Sequence, residues 1–275
     1  MIYEAYGGGT VLGASEYIPA TQLNNIYGLP DRVAGCSVGI LTSVLRSMDN
    51  LDELYDTWLS IKSTSDFQKF RWRSIWELLT KPAMENKGFM SLDPLRELFY
   101  EKGVHPTKLN IPTYATFVNF MNKQYEFVLL NHMSEQEMFN AMIASCTQFP
   151  IHEMAYVYNV ACIDAGARHV VPIYPNRLMK QCTELKVIAT QPIDKPHLDN
   201  NTFSSNINIP RALEFLTDVV EYSDYQKLLK LKTKFNTRIE LIQPERRPGD
   251  AFDVKMIEYR LKVTGRESWN NRRYL

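Results

Sequence analysis

The chain reads as an α/β protein with a mostly parallel central sheet flanked by helices, and three observations carry that reading. Strand-like and helix-like stretches alternate along most of its length. Two glycine-bearing turns, Gly7-Gly8-Gly9 and Gly35 to Gly39, each stand between an apolar strand and a helix. No linker, internal repeat or low-complexity tract divides the 275 residues, and α/β domains of this size commonly form one core. A single domain over 1–275 is therefore expected.

Met1 to Tyr6 reads as a strand running into the glycine turn. Pro19 to Ile26 follows as a helix, with Pro19 in its first turn and Gly28 and Pro30 at its end. Arg32 to Ala34 ends a second strand, and Ile40 to Met48 sets Leu41, Val44, Leu45 and Met48 on one helical face. Leu51, Leu54, Trp58 and Leu59 keep helical spacing, and a helix over Leu92 to Lys102 is opened by Ser91 and Pro94 and closed by Gly103. Between these two helices a cap-like helical segment is expected around 61–90. Ile111 to Met121 and Gln124 to Asn131 alternate as two strands about a turn at Asn122-Lys123. Ser134 with Glu137 marks a capping-box start for a helix reaching Ser145. Tyr156 to Ile163 and Val170 to Ile173 read as strands around Asp164-Ala165-Gly166, and Leu185 to Ala189 as another strand. Helices over Pro210 to Val220 and Ser223 to Phe235, a strand over Arg238 to Ile242 and a last helix from about Asp253 to Thr264 complete the pattern.

Lys plus Arg and Asp plus Glu are 31 each, so no global field draws the chain to nucleic acid or an anionic membrane, and any attraction to lipid must be local. The four cysteines, Cys36, Cys146, Cys162 and Cys182, form no CxxC pair, which fits a reducing compartment better than a disulfide framework. The first residues carry no charged and apolar leader, and the longest weakly polar run, Val33 to Leu45, is too short to span a bilayer. A cytoplasmic protein with peripheral membrane contact is expected. The histidines at 105, 132, 152, 169 and 197 form no close ligand pair, and no metal or organic cofactor is called for.

Gly35-Cys36-Ser37-Val38-Gly39 fits the G-x-S-x-G elbow, in which small flanking residues let the chain turn sharply and present a serine hydroxyl at a helix N-terminus. Gly7, Gly8 and Gly9 offer consecutive backbone N–H groups for an oxyanion, and Val38 adds another. The same glycines suit a phosphate, but a Gly-Lys-Ser/Thr and a suitably placed acidic residue are both missing. Asp164, taken alone, reads as a turn aspartate bonded to its own backbone.

With these motifs in order, the chain resembles the patatin-like phospholipases. That family opens with a glycine-rich oxyanion motif, continues with G-x-S-x-G, and much later carries D-G-G or D-G-A. The counterparts here are Gly7 to Gly13, Gly35 to Gly39 and Asp164-Ala165-Gly166. Ala144-Ser145, Pro150, Pro172-Ile173 and the late strand Ile239 to Pro244 extend the likeness over nearly the whole chain. Gly9 and Gly13 stand one residue further apart than in the usual motif, Leu12 replaces its base, and Ala165 replaces a glycine. The resemblance implies a three-layer sandwich, a phospholipase A-type lipid acyl hydrolase, and a Ser-Asp dyad of Ser37 as nucleophile and Asp164 as general base. It further implies an oxyanion hole from Gly7, Gly8, Gly9 and Val38, with Gly13, Gly35, Gly39 and Gly166 shaping the turns, and a phospholipid or other acyl-ester lipid as substrate.

Two rivals stand beside it. A histidine-dependent carboxylesterase would use His169 or His197 as its base, and a scaffold of the same fold would bind lipid without turning it over. The segment from Phe67 to Leu79 interleaves Phe67, Phe70, Trp72 and Trp76 with Lys69, Arg71 and Arg73. It reads either as core under a helical subdomain or as a lipid interface carried by Phe70, Trp72 and Trp76.

Overall fold

In the computed structural model, residues 1–71, 88, 90–194, 209–246 and 253–275 are described, the side chains of 209–219 and 221 excepted. The strands are β1 Ile2–Tyr6, β2 Arg32–Cys36, β3 Lys69–Phe70, β4 Met90–Ser91, β5 Thr113–Asn119, β6 Tyr125–Leu129, β7 Ala155–Val157, β8 Val160–Asp164, β9 Glu184–Ile188, β10 Arg238–Ile242 and β11 Arg273–Tyr274. Nine of them form one mixed sheet in the order β11-β10-β9-β1-β2-β5-β8-β7, with β6 also pairing β5. The run β10-β9-β1-β2-β5 is parallel, whereas β6, β7, β8 and β11 enter antiparallel. The mostly parallel α/β expectation thus holds for the centre of the sheet.

Period-two alternation sends successive side chains to opposite faces. Tyr3, Ala5, Leu185, Val187, Ile239 and Leu241 face one core with Tyr174, Met179, Leu228 and Leu231. Tyr6, Val33, Ile188 and Ile242 face the other, under helices α1 Tyr17–Tyr27, α2 Gly39–Ser47, α3 Leu51–Ser60, α4 Asp93–Glu101 and α5 Glu135–Cys146. The first core is covered by the short α6 Asn176–Met179 and the long α7 Ile209–Phe235. Two buried ion pairs lie on the second face, Glu4 with Arg46 at 3.0 Å and Lys186 with Glu240 at 2.5 Å, each ion offsetting the other's burial.

Several expectations change. Tyr156 to Ile163 is not one strand but the hairpin β7–β8, because Tyr158 and Asn159 both take positive φ (50° and 62°) and reverse the chain, as a tight hairpin turn demands. Val170 to Ile173 is no strand: its N–H groups bond side chains, Val170 and Val171 to Asp224 and Ile173 to the Tyr125 hydroxyl. The two helices expected over 210–220 and 223–235 are one, α7, and the last helical run continues past Thr264 to Asn270 through a π turn at Arg260–Thr264. Within the expected cap-like segment around 61–90, the described part is not helical beyond a 3-10 turn at Thr64–Asp66, and β3 pairs antiparallel with β4; the remainder lies outside the described residues. No helix among the described residues is long and apolar enough to cross a membrane.

Candidate active site

Strand β5 assembles the site. β6 occupies one of its edges from Tyr114 to Val118, so β2 and β8 must share the other. β2 runs up that edge and ends with Cys36 opposite Thr116. β8 comes down it and ends with Asp164 opposite Phe117. Ser37, the next residue after β2, and Asp164 therefore converge head to head on neighbouring positions of one strand.

The elbow itself is strained and closely packed. Ser37 has φ of 51°, an uncommon conformation for a side chain with a Cβ that is tolerated at functional turns. Its N–H donates to the Ser145 hydroxyl at 2.9 Å, which pins the turn to α5. A Cβ on Gly35 would lie 2.5 Å from the Ile40 backbone, and one on Gly39 would lie 2.4 Å from the Tyr6 carbonyl. The strand-to-helix crossing leaves no room for any other residue at these two positions.

Asp164 is 5% exposed and Ser37 7%. The Asp164 carboxyl accepts a hydrogen bond from Gly166 N–H at 2.6 Å, with the Ser37 hydroxyl near enough to favour its charged form. Burial raises its pKa to about 6, against the lowering effects of Gly166 N–H and the Ser37 hydroxyl. Burial first, then the nearby Asp164 and Asp224, pushes the Cys36 thiol well up, so the cysteine beside the serine stays neutral. Because Asp164 is harder to ionise when folded, it weakens the native state as pH rises from 3.8 toward 6, and the penalty is complete above that. Asp164→Asn is expected to be more stable than the parent at pH 8 by up to ~3 kcal/mol, with the difference vanishing below pH 3.8. Urea denaturation at the two pH values measures it; equal stability at both would mean that Asp164 ionises as freely as an exposed carboxyl.

The glycine turn lies against the serine, a Cβ on Gly8 meeting that of Ser37 at 2.9 Å. Two of the four expected oxyanion donors are committed elsewhere: Gly7 N–H bonds the Ile188 carbonyl at 2.9 Å and Gly8 N–H the Val170 carbonyl at 2.8 Å. The Gly8 carbonyl accepts from Thr190, so across that planar peptide the Gly9 N–H points away from Thr190. Gly9 and Val38 N–H donate to no acceptor among the described residues. Gly13 is buried in the 3-10 turn Thr10–Glu16, and Gly166 follows Asp164 in the 3-10 turn Ala165–Ala167.

Asp224 was not legible as a site residue. This fully buried carboxylate on α7 accepts from His169 Nδ1 at 2.5 Å, Val170 N–H at 2.7 Å and Val171 N–H at 3.4 Å, with Lys227 Nζ at 3.5 Å. The segment it holds bonds the glycine turn through the Val170 carbonyl and the elbow through the Cys36 thiol, which donates to the His169 carbonyl at 3.1 Å. His169, one of the two candidate histidine bases, bonds Asp224 through Nδ1, makes no hydrogen bond to Ser37 and does not line the cavity beside it; His197 lies outside the described residues.

A cavity opens from Ser37 between Val11, Leu41, Trp58, Phe67, Leu95 and Phe99. His152 closes part of it, accepting from Gln148 N–H and bonding Gln68 through its other ring nitrogen; burial holds its pKa down at about 4. Of the expected lipid-interface residues, Phe70 is 40% exposed on β3, and Trp72 and Trp76 lie outside the described residues. Phe67 belongs to the core.

The family model for patatin-like phospholipases matches residues 6–176. No curated protein matches the chain. Among solved structures it is similar to VipD from Legionella pneumophila, at 8% identity and a TM-score of 0.41, over 100% of this chain and 67% of that one. A family match that spans the glycine turn, the elbow, Asp164 and the sheet edge joining them places this chain in the patatin-like phospholipases, a family of lipid acyl hydrolases.

Proposed function

We propose that the protein hydrolyses acyl esters of glycerophospholipids or related lipids through a Ser37–Asp164 dyad. Asp164 takes the hydroxyl proton as Ser37 forms a bond to the ester carbonyl carbon, and the N–H groups of Gly9 and Val38 stabilise the tetrahedral oxyanion. Collapse expels the alcohol, which recovers the proton from Asp164. Water, deprotonated by the same carboxylate, then releases the fatty acid and restores the serine. The observation that carries this reading is the convergence of Ser37 and Asp164 on neighbouring positions of β5, with Ser37 lining an apolar cavity suited to an acyl chain.

The test is covalent labelling by a fluorophosphonate, located by peptide mass spectrometry, together with product analysis on a mixed lipid extract. Label on Ser37 and release of free fatty acid are expected, with the rate rising through pH 6 as Asp164 ionises and levelling above it. A protein that binds lipid but neither labels nor releases fatty acid would be the non-catalytic scaffold.

A further inference from the structure

β5 does not stop at the level of the site. It runs on past Phe117, the partner of Asp164, to Asn119, roughly 7 Å further at 3.3 Å per residue, and then into the turn Phe120-Met121-Asn122-Lys123. The direction is that of the parallel strands' carboxyl ends, the side on which Ser37 follows the end of β2. Polar residues alone would serve such a turn, yet Met121 is 67% exposed at its tip.

The tip is built rather than loose. Asn119 Oδ1 accepts from Met121 and Asn122 N–H at 3.1 and 3.3 Å, and Asn122 Oδ1 from Gln124 N–H at 2.9 Å. Phe120 stacks edge-on against Phe149 at 5.5 Å, both half-buried, with Pro150 exposed beside them. Phe149 sits in the loop whose Thr147 carbonyl accepts Asp164 N–H at 2.8 Å and whose Gln148 lines the cavity. The apolar tip therefore adjoins the loop that lines the cavity beside Ser37. Its charges have one sign: Lys123 and Arg168 are exposed, tied by an Arg168 hydrogen bond to the Lys123 carbonyl at 2.6 Å, and residues 119–124 and 147–151 contain no carboxylate.

We infer that this tip, Phe120, Met121 and Phe149 with Lys123 and Arg168, docks the protein on a lipid surface, the apolar groups entering below headgroups that the two cations meet. The inference rests on the acyl-hydrolase reading for its choice of lipid over a protein partner. It places interfacial contact on the β5–β6 turn, not on Phe70.

The full chain, Met121→Asp and Met121→Leu are compared by co-sedimentation with phosphatidylcholine vesicles containing phosphatidylserine, and by hydrolysis of those vesicles and of a monomeric short-chain ester. Loss of a buried methionine's transfer energy is worth about 10-fold or more in binding. Met121→Asp should lose at least about that factor in vesicle binding and vesicle hydrolysis and keep its rate on the soluble ester, and Met121→Leu should match the parent. In a Met121→Trp variant the new indole should blue-shift on adding vesicles. Unchanged vesicle binding by Met121→Asp, or equal losses on both substrates, would overturn the docking assignment. A parent that binds vesicles, and loses them with Met121→Asp, but cleaves neither ester would instead overturn the hydrolase and leave the surface standing.

Discussion

Ser37→Ala and Asp164→Asn are each expected to lower kcat/KM on a soluble ester by about 10^4-fold or more while leaving the circular dichroism of the fold unchanged. Alanine removes the nucleophile. Asparagine keeps the shape of aspartate and still accepts from Gly166 N–H, but it cannot take a proton from Ser37. Because the two groups act as a unit, the double variant should be little worse than either single one. His169→Asn, which keeps a donor near the Nδ1 position for Asp224, should stay within about 10-fold of the parent, since the ring makes no hydrogen bond to Ser37 and does not line its cavity. Turnover lost as completely in His169→Asn as in Ser37→Ala, in a folded protein, would favour the histidine-dependent esterase.

Asp224→Ala should be the most damaging change away from the dyad. It leaves the buried His169 ring and two backbone N–H groups without their acceptor, and breaking such a buried, charge-assisted cluster costs about 3–5 kcal/mol. Asp224→Asn keeps the volume and one acceptor oxygen and should lose about half as much. A purely structural loss would end there. Because the held segment also fixes Gly8 and Cys36, Asp224→Asn should in addition label more slowly with a fluorophosphonate at temperatures where it is fully folded, with KM for a soluble ester little changed. Normal labelling in the folded variant would reduce Asp224 to a stabilising residue.

What the sequence disclosed was local. The elbow was readable because its glycines and serine lie within five residues and the steric demand is met on the spot. The β7–β8 reversal was not, because Tyr158-Asn159 lacks the glycine that usually flags so tight a turn. Ser223-Asp224 looks like a helix start, yet Asp224 sits inside α7 with its carboxylate turned to donors far away in the chain. Gly265 looks like a helix stop, but a Cβ there would come within 2.9 Å of the Ser15 carbonyl, so it marks a crossing of the 3-10 turn instead. The likeness to a family, not any spacing, paired Ser37 with Asp164. Nothing in periodicity says that β8 runs against β5.

Two strands that finish nose to nose on a third measure the gap between nucleophile and base against the backbone of β5, not along the chain that joins them. The stretch between α2 and β5 can be lengthened, shortened or rebuilt, as a pocket wall would require, without retuning the pair. One residue gained or lost between Thr116 and Phe117 has the opposite effect, since it moves the two ends apart and turns Asp164 to the other side of the sheet. Variation in pocket length and shape is thereby separated from the chemistry, and the tolerance for insertion ends at β5.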